Sequence, residues 1–359
     1  MGLMDGSYTY SELRKKYDDF TTPKVELNIG GVSLLEQKGV SVNQVQVKLS
    51  VENAGSASFT VNSGYDYENS SFSSVLKDKA APGKTVTVKL GYMSSSIVVF
   101  KGFIASVDIQ LDVENGIFFT IMAMDARRLM MTDNKPYILY NKANYSDIVK
   151  EIMSRYSALC SLDCDATDDK LKDVVCQRES DYDFITKKLI EGGRVDREFF
   201  IVADKAYFRK VQSVKTPVIT LGINSGLKSF NRSLNYLNKI FEVHGYNPDT
   251  KTHIVASATA KNGDNQVNVI KAGVEVVALP DCKTQTDANE AAKSMAEKAK
   301  NENKKAYGTC IGLPEIVPGR FIKISGVDSL VNKKFYITDV THTINYNGFL
   351  TNFTAEGWE

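Results

Sequence analysis

Two stretches of this 359-residue chain repeat one another's landmarks in the same order. Residues 82–126 read PGKTVTVKLGYMSSSIVVFKGFIASVDIQLDVENGIFFTIMAMDA, and residues 318–357 read PGRFIKISGVDSLVNKKFYITDVTHTINYNGFLTNFTAEG. Each opens on Pro-Gly and an alternating strand, then continues into a second strand carrying Ile104 and Val107, or Ile337 and Val340. Each reaches an Asn-Gly pair, Asn115-Gly116 or Asn347-Gly348, and returns through an apolar run that ends on Ala123 or Ala355. Asn-Gly between alternating apolar runs predicts a hairpin with a two-residue type I′ turn, because both central residues of that turn need positive φ. From Ile to Asn the spacing is eleven residues in one copy and ten in the other, a difference that one β-bulge absorbs. The chain is therefore expected to build the same β-unit twice.

A chain of this length exceeds one ordinary core and predicts two or three domains. Hydrophobic residues make up 43% and charged residues 24%, the balance of a folded chain rather than a disordered one. With 44 basic against 43 acidic residues, nothing in the overall charge suits a dedicated binder of nucleic acid or of a membrane surface. No run approaches the roughly 18 apolar residues of a membrane span. The opening MGLMDGSYTYSELRKKYDDF lacks an apolar signal core and has no Ser or Thr where a myristoylation site wants one, so synthesis in the cytoplasm is expected. Cys160, Cys164, Cys176, Cys282 and Cys310 are odd in number and lack CxxC spacing, which predicts reduced, mostly buried thiols.

Residues 1–23 form an N-terminal arm, in which Tyr10, Leu13 and Tyr17 predict a short helix. From Lys24 the period falls to two: VELNIGG, VNQVQVKLSV and SASFTVN read as strands, the last two joined through Asn53-Ala54-Gly55-Ser56. SSFSSVLKDKAA predicts a short helix. Residues 24–130 thus supply six or more strands, enough for a small antiparallel barrel. Residues 131–212 read as an α/β insert. NYSDIVKEIMSRYS places Tyr145, Ile148, Val149, Ile152 and Tyr156 on one helical face. A second helix starts at Ser180, which with Asp183 resembles a capping box, and stops at Gly192-Gly193. EFFIVADKAYFRK then predicts a hairpin turning at Asp204-Lys205.

Residues 213–359 return to strands. KIFEVHGY and THIVASATA flank Asn247-Pro248-Asp249, and with the following helix and Pro-Gly unit they repeat the order of the first region, predicting a second barrel. The helix, residues 286–303, carries Ala288, Ala291, Ala292, Met295, Ala296 and Ala299 in one stripe, small enough to bring its backbone close to a sheet. The predicted class is mainly β with an α+β insert: two antiparallel β-barrels plus a small α/β domain.

Reactive constellations are missing from the sequence. His244 and His253 face each other across a predicted turn and His342 sits in the closing copy, but HxH, HExxH, CxxC and GxSxG do not occur. Gly30-Gly31 and Gly192-Gly193 are too short to cradle phosphate. Asp18-Asp19 and Asp168-Asp169 read as solvated carboxylates, and DCDATDDK lacks the spacing of an EF-hand loop. No catalytic, cofactor-binding or metal-binding residue is assigned, and an enzyme is not expected.

Residues 179–210, ESDYDFITKKLIEGGRVDREFFIVADKAYFRK, resemble a segment of the phage late-control D family and of the N-terminal hub part of VgrG proteins. The landmarks are Glu179, Ser180, Asp181, Phe184, Leu189 and Gly193, followed by a hairpin. The closing Pro-Gly, strand and Tyr336, Val340 and His342 resemble the same family, as do VKLGY, FKGFI and MAMDA of the first copy; together these cover most of residues 24–357. The resemblance implies a baseplate hub of a phage tail, tailocin or other contractile injection system. Such a hub is a homotrimer with two tail-tube-like barrels per subunit, adapting a sixfold tail tube to a threefold spike. The implied partners are the tail tube protein, a spike protein, and neighbouring baseplate wedge and tape-measure proteins, without membrane or sequence-specific nucleic acid. Because the chain stops at Trp358-Glu359, where VgrG continues into its spike, the spike is expected to be a separate protein. The implied destination is a virion tail or an extracellular injection particle. The competing reading is a cell-wall or glycan-active tail protein, either a lysin-like enzyme or its binding module, because siphophage relatives carry these barrels ahead of tail-associated lysins.

Overall fold

The computed structural model describes residues 3–357 except 38–39, 62–64, 67, 70, 73, 94, 113–115, 133–136, 142, 168–174, 193–195, 234, 263–271 and 281. Asn115, Asp168, Asp169, Gly193, Trp358 and Glu359 therefore lie outside the described residues. The chain is mainly β. Its internal contacts divide it into two units, Met1–Ser229 with Gly308–Thr354, and Phe230–Tyr307 with Ala355–Glu359.

The two repeated stretches fold alike. Thr85–Tyr92 pairs antiparallel with Ser95–Asp112, which pairs with Gly116–Met124. That strand meets Ser56–Val61, which meets Val42–Ser50. The closing copy has the same succession: Phe321–Ile324, Lys334–Asn345, Gly348–Gly357, Lys305–Ile311 and Leu227–Arg232. Backbone hydrogen bonds fix the equivalence residue by residue. Gly83 donates to Ile104 O at 2.8 Å while the Ile104 N–H donates to Lys84 O at 2.8 Å; Gly319 donates to Ile337 O at 2.9 Å while the Ile337 N–H donates to Arg320 O at 2.8 Å. Farther on, the Asp125 N–H donates to Gly55 O at 3.0 Å and the Gly357 N–H to Lys304 O at 2.8 Å. Gly83 and Gly319 both hold positive φ, +87° and +80°, a conformation that a Cβ would strain.

The two copies are also joined edge to edge. The first residues of Lys334–Asn345 pair with Phe321–Ile324, and residues 339–344 then pair antiparallel with residues 50–45. Alternation along these strands buries Val45, Val47 and Leu49, with Phe59, Val61, Val88, Leu90 and Ile121, on the inner face. His342, opposite Val47, is fully buried and its Nδ1 lies 2.9 Å from Thr351 Oγ1. Glycine is required beneath two rings of the closing copy: a Cβ on Gly308 or Gly312 would fall 2.1 or 1.9 Å from the Phe353 or Phe349 ring.

Turn details depart from the expectation. Gly348 has positive φ (+103°), but Asn347 does not, so the closing connection is not a type I′ turn. Both glycines already belong to the returning strand, the arrangement of a turn followed by a bulge. The one-residue difference between copies lies in the connection, residues 113–115 against 346–347. The register shift between Ile104 and Ser106 falls within the stretch where the copies have equal length, so it does not absorb the difference. The order of strands before the Pro-Gly unit also differs from the reading. Leu227–Arg232 and Lys305–Ile311, not KIFEVHGY and THIVASATA, take the places that Val42–Ser50 and Ser56–Val61 hold in the first copy.

The insert has its own core. Ser161–Cys164 runs parallel to Lys205–Lys210, which pairs antiparallel with Arg197–Val202, and Tyr145–Ser154 packs on them through Ile148, Val149 and Ile152. Val202 opposes Lys205, so the hairpin turns on Ala203 and Asp204, with Ala203 at φ +56°, one residue earlier than expected. Ser180 caps as predicted, accepting the Asp183 N–H at 3.1 Å, but Asp183 pairs with Lys187 rather than closing a box. From Phe184 to Gly192 the helix is a π-helix. Its buried positions Phe184 and Leu189, five residues apart, suit the wider turn.

In the second unit, Leu237–Asn247 pairs antiparallel with Thr252–Asn262 and parallel with Gly273–Ala278. The helix Gln285–Glu302, capped by a Thr284–Asp287 box, lies on this sheet. Ala288, Ala291 and Ala292 pack on Val243, Ile254 and Ala256, and Ala296 on Phe241 and Ala260. The alanine stripe thus allows the close approach its size suggested.

Two outcomes follow. Placing Glu at both Ala292 and Ala296, 0% and 3% exposed, would bury two carboxylates against this sheet. The double variant should lose more than about 3 kcal/mol in urea unfolding, since unpaired burial costs several kcal/mol per ion; unchanged stability would contradict the docking. Burial also pushes the His342 imidazole down to about 3, below the roughly 6.5 of a free histidine. The folded state therefore favours the neutral ring: that stabilisation is full above about pH 6.5 and is lost as pH falls toward 3. Between pH 7 and 5 the protein should lose stability faster than His342→Gln, by up to about 1.4 kcal/mol per pH unit; equal losses would show that His342 is not buried in the fold.

Candidate functional site

Residues singled out for chemistry do not converge on a reactive centre. His244 and His253 do meet on neighbouring strands, Nδ1 to Nε2 at 3.0 Å, and His244 Nε2 lies 2.7 Å from Glu242 Oε1. Both ring nitrogens of His244 are thus engaged, one by His253 and one by a carboxylate, and no group of three metal-ligating residues occurs among the described residues. Asp18 and Asp19 lie in a turn of positive φ, where Asp19 pairs with Arg14. The five cysteines are free thiols. Burial pushes Cys160 up to about 12 and Cys164 up to about 11, away from thiolate reactivity.

Among the described residues of the first unit, charge is instead buried at several places, and four of them tie segments distant in sequence. Asp125 caps Ala126–Met130, accepts the Gly55 N–H at 2.7 Å and holds Arg127, whose Nη1 donates to Ser50 O at 2.9 Å. This joins the turn between Val42–Ser50 and Ser56–Val61 to the entry of the insert. Glu198 and Arg209, paired across the insert hairpin, accept from Tyr336 and donate to Gly319 O respectively, binding the insert to the closing copy. Burial drives the Glu198 carboxyl up, with Arg209 opposing. Glu315 accepts from Lys16 Nζ and Tyr17 OH, each at 2.7 Å. Arg320, fully buried, donates to the carbonyls of Leu3, Gly6 and Thr216 and so fastens the N-terminal arm. Sequence reading missed all four. The Met-Asp-Ala-Arg-Arg run, a cap residue followed by arginine, was the one available signal.

The surface feature that stands out is a strand edge. Ser95–Asp112 extends well past its neighbour Thr85–Tyr92, whose pairing ends at Phe103. On that edge residues 106–111 have no strand beside them among the described residues, although their opposite edge pairs with Gly116–Met124. Ile109 and Leu111 are 58% and 73% exposed. Along this stretch Val107, Ile109 and Leu111 alternate with polar residues. At the other end of the path lies Leu227–Arg232, beside Lys305–Ile311.

Comparison with known proteins places this architecture. No curated protein matches the sequence. Among solved structures, the chain resembles the 43 kDa tail protein of prophage MuSo2 from Shewanella oneidensis, with a TM-score of 0.72 at 12% identity over 93% of this chain and 98% of that one. It also resembles a tail protein from Neisseria meningitidis, with a TM-score of 0.68 at 12% identity over 93% and 96% of the two chains. A chain of the Francisella PdpA–VgrG complex matches with a TM-score of 0.58 at 14% identity, over 97% of this chain and 54% of that one. The fold is thus shared with phage tail proteins and VgrG complexes, as the resemblance of residues 179–210 implied. The profile of the Alg8 N-terminal domain matches residues 20–346, and the chain belongs to that family.

Proposed function

We propose that the chain is a non-enzymatic structural hub of a contractile tail or injection particle, acting as a homotrimer between a sixfold tail tube and a threefold spike. One observation carries the reading: a single chain presents the same β-unit twice, in equivalent hydrogen-bonded register and within one sheet. Three chains then offer six near-equivalent units to a sixfold partner, while the insert and the sequence differences between units keep the true symmetry threefold. In this reading the β-units are the cores of two tube-like barrels, drawn from residues 24–130 and 213–359. Residues 131–212 form the insert and residues 1–23 an arm. The fold shared with tail proteins supports it. The tube protein and a spike protein are the partners, with wedge and tape-measure proteins as neighbours, and the site of action is a virion tail or extracellular particle.

A reconstruction of the assembled particle tests this. Three chains around the axis, with six β-units facing the tube, are the expected result. Six separate chains at that level would contradict it, and release of fragments from peptidoglycan by the purified protein would favour the glycan-active alternative.

A further inference from the structure

Two of the chain's three histidines meet on one face of the sheet in the second unit. Val243 packs with the helix Gln285–Glu302, so Glu242, His244 and Tyr246 stand on the opposite face. Tyr246 opposes His253 and His244 opposes Val255, which makes the two histidines diagonal neighbours. Both sit on regular strands, Leu237–Asn247 and Thr252–Asn262. The connection between those strands is fixed by Asn247, whose Oδ1 accepts the Asp249 and Thr250 N–H groups at 2.9 and 3.1 Å. Donors on rigid elements hold their separation better than donors on loops.

His244 Nε2 lies 2.7 Å from Glu242 Oε1. An ionised carboxylate only accepts, so His244 carries its proton on Nε2 and its Nδ1 offers a lone pair. That lone pair faces His253 Nε2 at 3.0 Å. An outer carboxylate that fixes the tautomer of a ligating histidine is the usual support of a metal-bound imidazole. Here it is in place beside a second imidazole nitrogen. His244 is half-buried and His253 exposed, and a hydrogen bond between rings that water can reach adds little net stability. The fold itself does not need the pair.

The separation selects the ion. Copper(II) and nickel(II) favour tetragonal geometry, in which adjacent nitrogens at about 2.0 Å and about 90° stand about 2.8 Å apart. Tetrahedral zinc at about 2.05 Å would set them about 3.3 Å apart. The observed 3.0 Å is nearer the first. Copper(II) also leads the affinity order of divalent ions at nitrogen donors.

We propose that His244 and His253 together chelate one tetragonal divalent ion, copper(II) or nickel(II), with Glu242 as the positioning carboxylate and water in the remaining places. The step is coordination alone, with no change of oxidation state. The ion takes the place of the proton between the rings: His253 keeps one ring proton, now on Nδ1, and turns its Nε2 lone pair to the metal. The site lies wholly within the second unit and stands apart from the hub reading.

Copper(II) iminodiacetate, which leaves coordination positions for histidines, tests this by calorimetry and electron paramagnetic resonance on the untagged full chain. Cys164 and Cys176 are partly exposed thiols, so the wild type is compared with variants rather than judged on stoichiometry. The expected result is a copper signal coupled to two imidazoles. Affinity should fall at least about tenfold in His244→Ala and in His253→Ala. Glu242→Gln should weaken binding about tenfold while keeping the two-imidazole signal, as loss of an outer-shell partner does. His253→Gln, at the exposed member of the pair, keeps the test open if an alanine variant folds poorly; it should bind as weakly as His253→Ala with the metal-free melting temperature unchanged. Equal affinity in the wild type and both His253 variants, or a signal from a single imidazole, would overturn the proposal. Zinc bound more tightly than nickel through the same two residues would overturn the tetragonal assignment.

Discussion

Six residues of one strand laid against six of another, 45–50 against 339–344, make one sheet out of two β-units. The segments are nearly three hundred residues apart, so the loop closed by this pairing is among the longest in the chain. Its entropic cost grows only slowly with length, and the reward is burial of a continuous apolar face: Val45, Val47 and Leu49 on one strand, Val340 on the other. Because side chains alternate, a slip of one residue would turn that whole face outward. The register between the two β-units is therefore set by the pattern.

Buried charge secures what the sheet alone leaves loose. Arg127, Arg209 and Arg320 are each within a few per cent of full burial, and each reaches a backbone carbonyl on another segment. An arginine fork suits this task, since several donors leave one side chain in fixed directions. Such groups contribute little net stability over well-packed apolar side chains, but removing one partner leaves a charge stranded. Their positions at the entry of the insert, at its hairpin and at the N-terminal arm suggest a role in specifying which segments meet.

Much of this was legible in the residues. The recurrence of Pro-Gly, Ile, Val and Ala landmarks named both β-units, and the alanine stripe of 286–303 announced a helix lying close on a sheet. Three things were not legible. Asn347-Gly348 has the composition of a type I′ turn, but the turn chosen places only the glycine at positive φ, because the strand pairing fixes where the glycine must stand. Phe184–Gly192 shows apolar spacings that an α-helix and a π-helix both satisfy, and packing decided between them. KIFEVHGY and THIVASATA alternate as well as any strand pair in the chain, while LKSFNR hardly alternates at all. Yet LKSFNR occupies the edge of the large sheet, and the stronger pair forms a sheet of its own. Partner choice among strands depends on long-range contacts that no local pattern records. The four buried ionic clusters were hidden for the same reason, since each joins residues that mean nothing to one another in sequence.

Pairing of residues 45–50 with 339–344 makes one sheet of the two β-units, and that sheet is expected to open cooperatively. Native-state amide hydrogen exchange of the free protein, followed by mass spectrometry, reads it directly. The account predicts that peptides covering these two segments are strongly protected and open together, in one step and with the same denaturant dependence. Protection of residues 339–344 with loop-like exchange over residues 45–50 would contradict it, because the closing unit would then fold without the first.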